Sequence, residues 1–464
     1  MPSKSQKILD EVTFVFSENE RLRGLGIKEL FKQDHDVLNL PVQGQLWLSR
    51  EASKRISVIA KELGLRSGLV ARVEHSTLYS VASDVIVGEL YPHREKLDVS
   101  RIDRAMNEAV KRLKMHCVDR VHYIPCHLMW SKDPSTLAIG PVTFHNRGSF
   151  RQLLLSKRHL QPSYDAIWQR EHGRKLLADT LRFYRKFRWV AEVEVKGFDA
   201  NISSKVAGRA VTSALDCLHI FLSPKHSAEM QIGGPATHWE RRASLCLNAQ
   251  GELWPSTSGS AVGQVNFTDG WSKALERDDT RHFFELFSTA VEAVINPELK
   301  RPLSRRFLDA AQWFGEAVRD ERASTSVVKY VMAIERMMTT DADKEKSDNG
   351  DESITSNLGS RVSALCFDPK IPGDRKAWRK KVSSAYNLRS NLVHGSMSPL
   401  DDEAEKSRWI IGETARFALL RAVEAFDVSG LKRDDLKGEE LREWFGEVVK
   451  WADRAEQYDW SQNS

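Results

Sequence analysis

The feature that most constrains this chain is its change of character after Asn296-Pro297. From Pro302 onward, apolar residues recur three and four positions apart, with little of the alternation a strand needs. Amphipathic helices are expected at 307–320, 324–338, 354–367, 374–394 and 403–426, followed by a short tail helix at 439–456. A polar break at 339–353 holds six acids against two lysines between 341 and 352, which reads as a solvated, mobile inter-helix loop. Helices of this kind bury their stripes only against one another, so residues 301–430 are expected to form an all-α bundle, with 431–464 as its tail.

Residues 1–300 read as mixed α+β, in one or two subdomains. Strands are expected at VTFVF (12–16), VIVGEL (85–90), RVHYIP (120–125), WVAEVEV (189–195) and GQVNF (263–267). Helices are expected at 49–64, 99–115 and 172–187, with loops at 131–141, 223–238 and 255–263. The fold class is therefore multidomain, an α+β region followed by an all-α bundle. At 464 residues such a division fits ordinary domain sizes. Hydrophobic residues at 41% and charged residues at 29% describe a globular chain, and no apolar run approaches the roughly 20 residues of a membrane helix. The amino terminus has no apolar core with a cleavage site, and five cysteines form no CxxC pair. Together these read as a cytoplasmic protein with reduced thiols and no membrane partner.

Two charges stand where apolar residues belong. At about 100° per residue, Val382, Ala385, Tyr386, Leu392 and Val393 fall within about 60° of Arg389. Glu335 is flanked in the same way by Val328, Val331 and Met332. A charge on an apolar stripe must be paired, or must line an interface or cleft. Opposite charges misplaced on two stripes imply that the two helices face each other there. Five residues beyond Arg389 comes His394, then Gly395, a natural helix stop, so the imidazole sits in a last helical turn. An imidazole beside a fixed guanidinium is a minimal kit for metal-free RNA cleavage. The histidine takes the 2′-hydroxyl proton or gives one to the leaving 5′-oxygen, while the planar fork holds the phosphate. The same residues also fit a structural Arg389–Glu335 pair with an incidental capping histidine.

The stretch YNLRSNLVHGS (386–396) resembles the signature of HEPN-domain proteins of the Apea-like subgroup, in which an R-S-x-x-x-H-G core follows a tyrosine on a long helix. The upstream AIERMM (333–338) and ITSNLGSRVSALCF (354–367) match the helices expected before it, so the resemblance covers about 300–430. It implies a helical, commonly dimeric endoribonuclease that needs no metal or other cofactor and leaves a 2′,3′-cyclic phosphate. Relatives often serve antiphage defence or abortive infection. Carried over, Arg389 binds phosphate, His394 is the acid or base, and Glu335 orients Arg389. Ser390, Tyr386 and Asn391 are auxiliary. Many HEPN nucleases carry Asn, Asp or His where this chain has Ser390. The implied partners are RNA, a second copy of the chain through the helical domain, and a phage-derived or nucleic-acid trigger at the N-terminal region. A non-catalytic HEPN-like module for dimerisation or nucleotide binding is the alternative; a third reading puts an active site in 1–300.

The net charge of +5 is too small to announce nucleic-acid binding, but its placement is not even. From 374 to 389, Arg375, Lys376, Arg379, Lys380, Lys381 and Arg389 face one acid, Asp374, a basic approach to the motif. A second candidate lies at 157–188, where nine basic residues meet three acids. There Arg182, Arg185 and Lys186 share a helix side, and Leu176, Phe183, Tyr184 and Phe187 fall on the other. That pattern is either an RNA-tracking face or an ordinary amphipathic helix with its aromatics in the core. The ligand-rich HCVDRVHYIPCH (116–127) matches no zinc spacing, and GGPATH and STSGSAVGQ lack the lysine and glycine pattern of phosphate loops.

Overall fold

The computed structural model describes residues 3–25, 34–40, 44–129, 133–156, 167–233, 240–247, 253–260, 271–341 and 354–458, together with Glu29 and Asp343. The architecture is mostly helical, with a small α+β region preceding a helical one. It divides into two compact units: residues 1–121 with 194–207, and residues 122–193 with 208–464. Position 300 is therefore not a boundary between compact units.

In the first unit, α1 (Lys4–Arg23) precedes a hairpin of β1 (His35–Asn39) and β2 (Gln45–Ser49). Then come α2 (Arg50–Ser67), α3 (His75–Val85) and α4 (Val99–His116). The Ser3, Ser49 and Asp98 side chains cap α1, α2 and α4 by accepting from N–H groups of the first turn. The expected strand at 12–16 is instead the middle of α1. Ile8, Val12, Val15, Phe16 and Leu22 are buried at helical spacing, and the β-branched run is simply the part of that stripe densest in apolar residues. The strand expected at 85–90 is a π-helical turn, Ile86–Leu90, continuing α3. The core joins these faces, with Leu46, Leu48, Ile56, Ile59, Val81, Ile102 and Leu113 all buried.

A five-stranded sheet ordered β4-β5-β6-β3-β7 follows, most of it in the second unit. Its strands are β3 (Val118–His127), β4 (Thr136–Ile139), β5 (Val142–Asn146), β6 (Trp189–Phe198) and β7 (Gln231–Ile232). The expected strands at 120–125 and 189–195 are present. β5 leads into α5 (Arg147–Ser156), then α6 (Ile167–Tyr184), and β6 into α7 (Ala200–Leu222). Gly140 turns β4 into β5 with φ +56°, and a Cβ there would lie 2.7 Å from the Ser288 carbonyl, so only glycine fits. A second hairpin pairs β8 (Glu240–Leu247) with β9 (Leu253–Ser260), so the stretch from Pro255 to Ser260 is strand and not loop. The strand expected at 263–267 lies outside the described residues.

The bundle is built from α8 (Asp278–Ile295), α9 (Pro302–Arg319), α10 (Ala323–Met338), α11 (Ile354–Cys366), α12 (Asp374–His394), α13 (Asp402–Lys432) and α14 (Gly438–Gln457). α10 packs on α9, α12 and α13, which gives it the central place. Phe287, Phe307, Phe314 and Tyr330 are fully buried between these helices, each contributing on the order of 2 kcal/mol. The expected tail helix is a full member of the bundle: α14 packs on α11 and buries Leu441 and Phe445, and Ala452 and Ala455 meet Ala364 and Phe367. The polar break is likewise not all solvated. Asp343 is buried, and both its oxygens accept from Arg361, at 2.7 and 2.8 Å.

Candidate functional site

α12 begins after Gly373 and ends before Gly395, both left-handed, so the two glycines bracket a helix of 21 residues. Its inward face carries Val382, Ala385 and Leu388. Arg389 follows at the rim of that face and keeps 23% of its side-chain exposure. From α10, Glu335 Oε2 lies 3.5 Å from Arg389 Nη2, as expected from the misplaced charges. The Tyr386 ring lies under the guanidinium, 5.7 Å from centroid to Cζ, adding a cation–π contact. Arg389 Nε is buried without a hydrogen-bond partner among the described residues. One end of the fork is thus fixed by Glu335 and Tyr386.

His394 is the last residue of α12 and is exposed. The chain then turns back on itself. Met397 N donates to the Asn391 carbonyl at 3.2 Å, and Ser396 Oγ donates to the Asn391 side-chain oxygen, also at 3.2 Å. Asn391 therefore holds the turn that follows the histidine, a part its place in the motif did not reveal. Ser390 is half-buried. The structure joins Arg389, Glu335 and Tyr386 in one contact set and places His394 five residues further along the same helix, about 140° round it from Arg389.

The basic approach is divided. Lys376, Arg379, Lys380 and Lys381 are exposed, with Lys381 Nζ 4.4 Å from the Trp378 ring centroid. Arg375, expected among the RNA-binding residues, is not available: it is 2% exposed, paired with Asp453 at 2.6 Å and Glu456 at 3.2 Å. The reason is helical phase. Fourteen positions before Arg389, Arg375 shares its side of the wheel, and there α14 supplies the two carboxylates. Arg182, at the end of α6, and Arg185 and Lys186, in the turn after it and not on the helix as expected, are exposed, with Arg182 paired to Asp179 at 3.2 Å. The apolar residues of that helix and its following turn are only partly in a core. Tyr184 donates to the Tyr123 carbonyl and Phe187 is buried, but Leu176 is 61% and Phe183 40% exposed. Lys157 and Arg158 lie outside the described residues.

Beside α12 a cleft of about 900 Å³ is lined by Leu392, Leu400, Asp401, Asp402, Glu405 and the start of α10 at Arg322. Its three carboxylates and Glu321 would repel a phosphate backbone. Elsewhere in the same unit is an ionic cluster with no surface signature. Asp216, from α7, is 1% exposed and accepts from Arg319 Nη1 at 2.8 Å; the same nitrogen lies 2.9 Å from His219 Nε2. Burial pushes the Asp216 carboxyl up to about 7 against the pull of Arg319. Burial, then the Arg319 charge, lowers His219 to about 3. Burial also pushes the Cys126 and Cys217 thiols up, so neither is a ready thiolate.

Among the described residues no group of three or more His, Cys, Asp or Glu side chains is arranged to hold a metal ion. The HCVDRVHYIPCH segment is split between the end of α4 and β3, where alternation sends neighbours to opposite faces. No described helix is long and apolar enough to cross a membrane. No family model, curated protein or solved structure matches the chain.

Proposed function

We propose that this protein is a metal-independent endoribonuclease acting through Arg389 and His394, in antiphage defence of the abortive-infection type. The observation that carries the reading is the Arg389–Glu335 contact. An arginine steadied by a carboxylate from a second helix, five residues before an exposed histidine at a helix end, matches the arrangement that the HEPN resemblance implies. His394 takes the 2′-hydroxyl proton as that oxygen attacks phosphorus, or protonates the departing 5′-oxygen. Arg389 holds the phosphate oxygens as their charge grows, and Glu335 and Tyr386 limit its swing. The products are a 2′,3′-cyclic phosphate and a 5′-hydroxyl. Lys376, Arg379 and Lys380 lead an RNA backbone toward the site.

One motif supplies one arginine and one histidine, whereas the reaction needs both an acid and a base. A homodimer placing two motifs face to face completes the pair. Val393, Leu400, Ile410 and Phe417, exposed on α12, α13 and their connection, give such an interface an apolar component. The test is incubation of the purified full chain with total RNA in EDTA, beside His394→Ala. Cleavage that survives chelation, leaves cyclic-phosphate ends and disappears in the variant supports the reading. Binding without cleavage under every trigger supports the rival, a regulatory HEPN-like module.

A further inference from the structure

β5 and β6 are antiparallel, with His145 opposite Val190 and Thr143 opposite Glu192. In that register His145 and Glu192 are diagonal neighbours on one sheet face, while Phe144, Ala191 and Val193 point into the core on the other. Their side chains meet: His145 Nε2 lies 2.8 Å from Glu192 Oε2. The chain leaves β5 directly into α5, and four residues on, in its first turn, Ser149 Oγ lies 3.2 Å from His145 Nδ1. The imidazole is 11% exposed and Glu192 25%, so the carboxylate is best served by Nε2–H. That leaves the Nδ1 lone pair facing the serine hydroxyl. A nucleophile, a base and an orienting acid thus stand in hydrogen-bonded order.

Two further features point to a reaction and not to a mere helix cap. Ser149 N donates to Asn146 Oδ1 at 2.9 Å, which satisfies one N–H of the first turn. The N–H groups of Arg147 and Gly148 precede the first possible intrahelical bond of α5, and are the kind of donor an oxyanion needs. Gly148 has no side chain to cover them. Arg147 directly follows and Arg188 directly precedes the last pair of the register, Asn146 opposite Trp189, and two cations held close there favour an anionic ligand.

We propose that Ser149, His145 and Glu192 form a second, hydrolytic centre, cleaving small carboxylic esters whose acyl part carries a negative charge. Ser149 Oγ forms a bond to the acyl carbon as its proton passes to His145 Nδ1. The carbon–alkoxide bond then breaks, and the leaving oxygen takes that proton to depart as alcohol. Water gives a proton to Nδ1 and attacks the acyl-serine, releasing the carboxylic acid and restoring the hydroxyl. Ester and water become acid and alcohol, with no redox change. Ser149 and His145 are the catalytic residues, Glu192 is a positioning residue, and the centre shares no residue with the Arg389 motif.

The experiment uses the full chain with a fluorophosphonate label mapped by mass spectrometry, and the para-nitrophenyl monoester of succinate beside the uncharged butyrate ester. Expected are labelling at Ser149, preference for the succinate ester, and a loss of about a hundred-fold or more in kcat/KM for Ser149→Ala and for His145→Ala. Glu192→Gln keeps the shape of the side chain and removes the carboxylate that accepts from His145 Nε2. It should lower kcat for the succinate ester while leaving KM little changed, because the imidazole is no longer held in place. Absence of label on Ser149, or equal labelling in folded His145→Ala, overturns the proposal. If His145→Ala does not fold, unchanged labelling and an unchanged kcat in Glu192→Gln overturn it equally.

Discussion

Replacing Arg389 by alanine separates a pair that holds the fold from one that performs chemistry. The guanidinium meets Glu335 through one contact of 3.5 Å, and not through a two-pronged fork. Two unit charges at that distance attract by roughly 5 kcal/mol at an effective dielectric constant near 20. The side chains keep 23% and 20% of their exposure, so solvation lost and rotamers frozen offset most of that attraction. The net coupling is about 1 kcal/mol, close to that of partly exposed ion pairs. Arg389→Ala is therefore expected to cost about 1–2 kcal/mol in urea unfolding, including the lost contact with Tyr386. Removing a group that holds a developing phosphate charge costs more, about 3–4 kcal/mol of barrier, or a 100- to 1,000-fold loss of rate. Unfolding curves for the single variants Arg389→Ala and Glu335→Gln and their double variant measure the coupling. RNA cleavage in EDTA, at a temperature where all remain folded, measures the rate. A coupling above about 3 kcal/mol, with cleavage falling only as the folded fraction falls, would falsify the catalytic assignment.

The Asp216 cluster should reveal itself through pH. With its carboxyl raised from 3.8 to about 7, the native state binds the Asp216 proton more tightly than the unfolded chain, so this contribution is lost as pH rises through that window. His219, lowered from 6.5 to about 3, acts oppositely: the unfolded chain holds more protons there, and stability rises with pH between those values. Asp216→Asn removes the first slope, and its urea midpoint should climb more steeply than the parent's between pH 4 and 6.5; a flatter climb counts against the pair of shifts. Gly315→Ala would place a Cβ 1.9 Å from Asp216 Oδ1, and should lower stability by about 3 kcal/mol or more through overpacking and the broken Arg319 contact. Phe445→Ala removes a fully buried ring that also lies 4.7 Å from Arg361 Cζ, and is expected to cost about 3–5 kcal/mol. A loss under about 1 kcal/mol in calorimetry would restore α14 to the status of a dispensable tail.

Local pattern alone determined helices α9 to α14 of the bundle, though not α8, and also the glycine stop after His394 and the pairing of Arg389 with Glu335. Each depends on a period of 3.6 residues and on the cost of leaving a charge on an apolar stripe, both properties of a single segment. Where two structures share one local pattern, the sequence is silent. The apolar run at 12–16 suits a strand or a helix, and became helix because Ile8, Asn19 and Leu22 extend the same buried face. The basic count from 374 to 389 did not distinguish Arg375 from Lys376, because carboxylates 78 and 81 residues away, on α14, bury the former. Asp216 meets Arg319 across 103 residues, and Glu192 meets His145 across 47, through a strand register that no window of sequence contains. Charge and periodicity act over one turn of chain and can be read from it; burial depends on which distant surface arrives, and only the tertiary structure decides that.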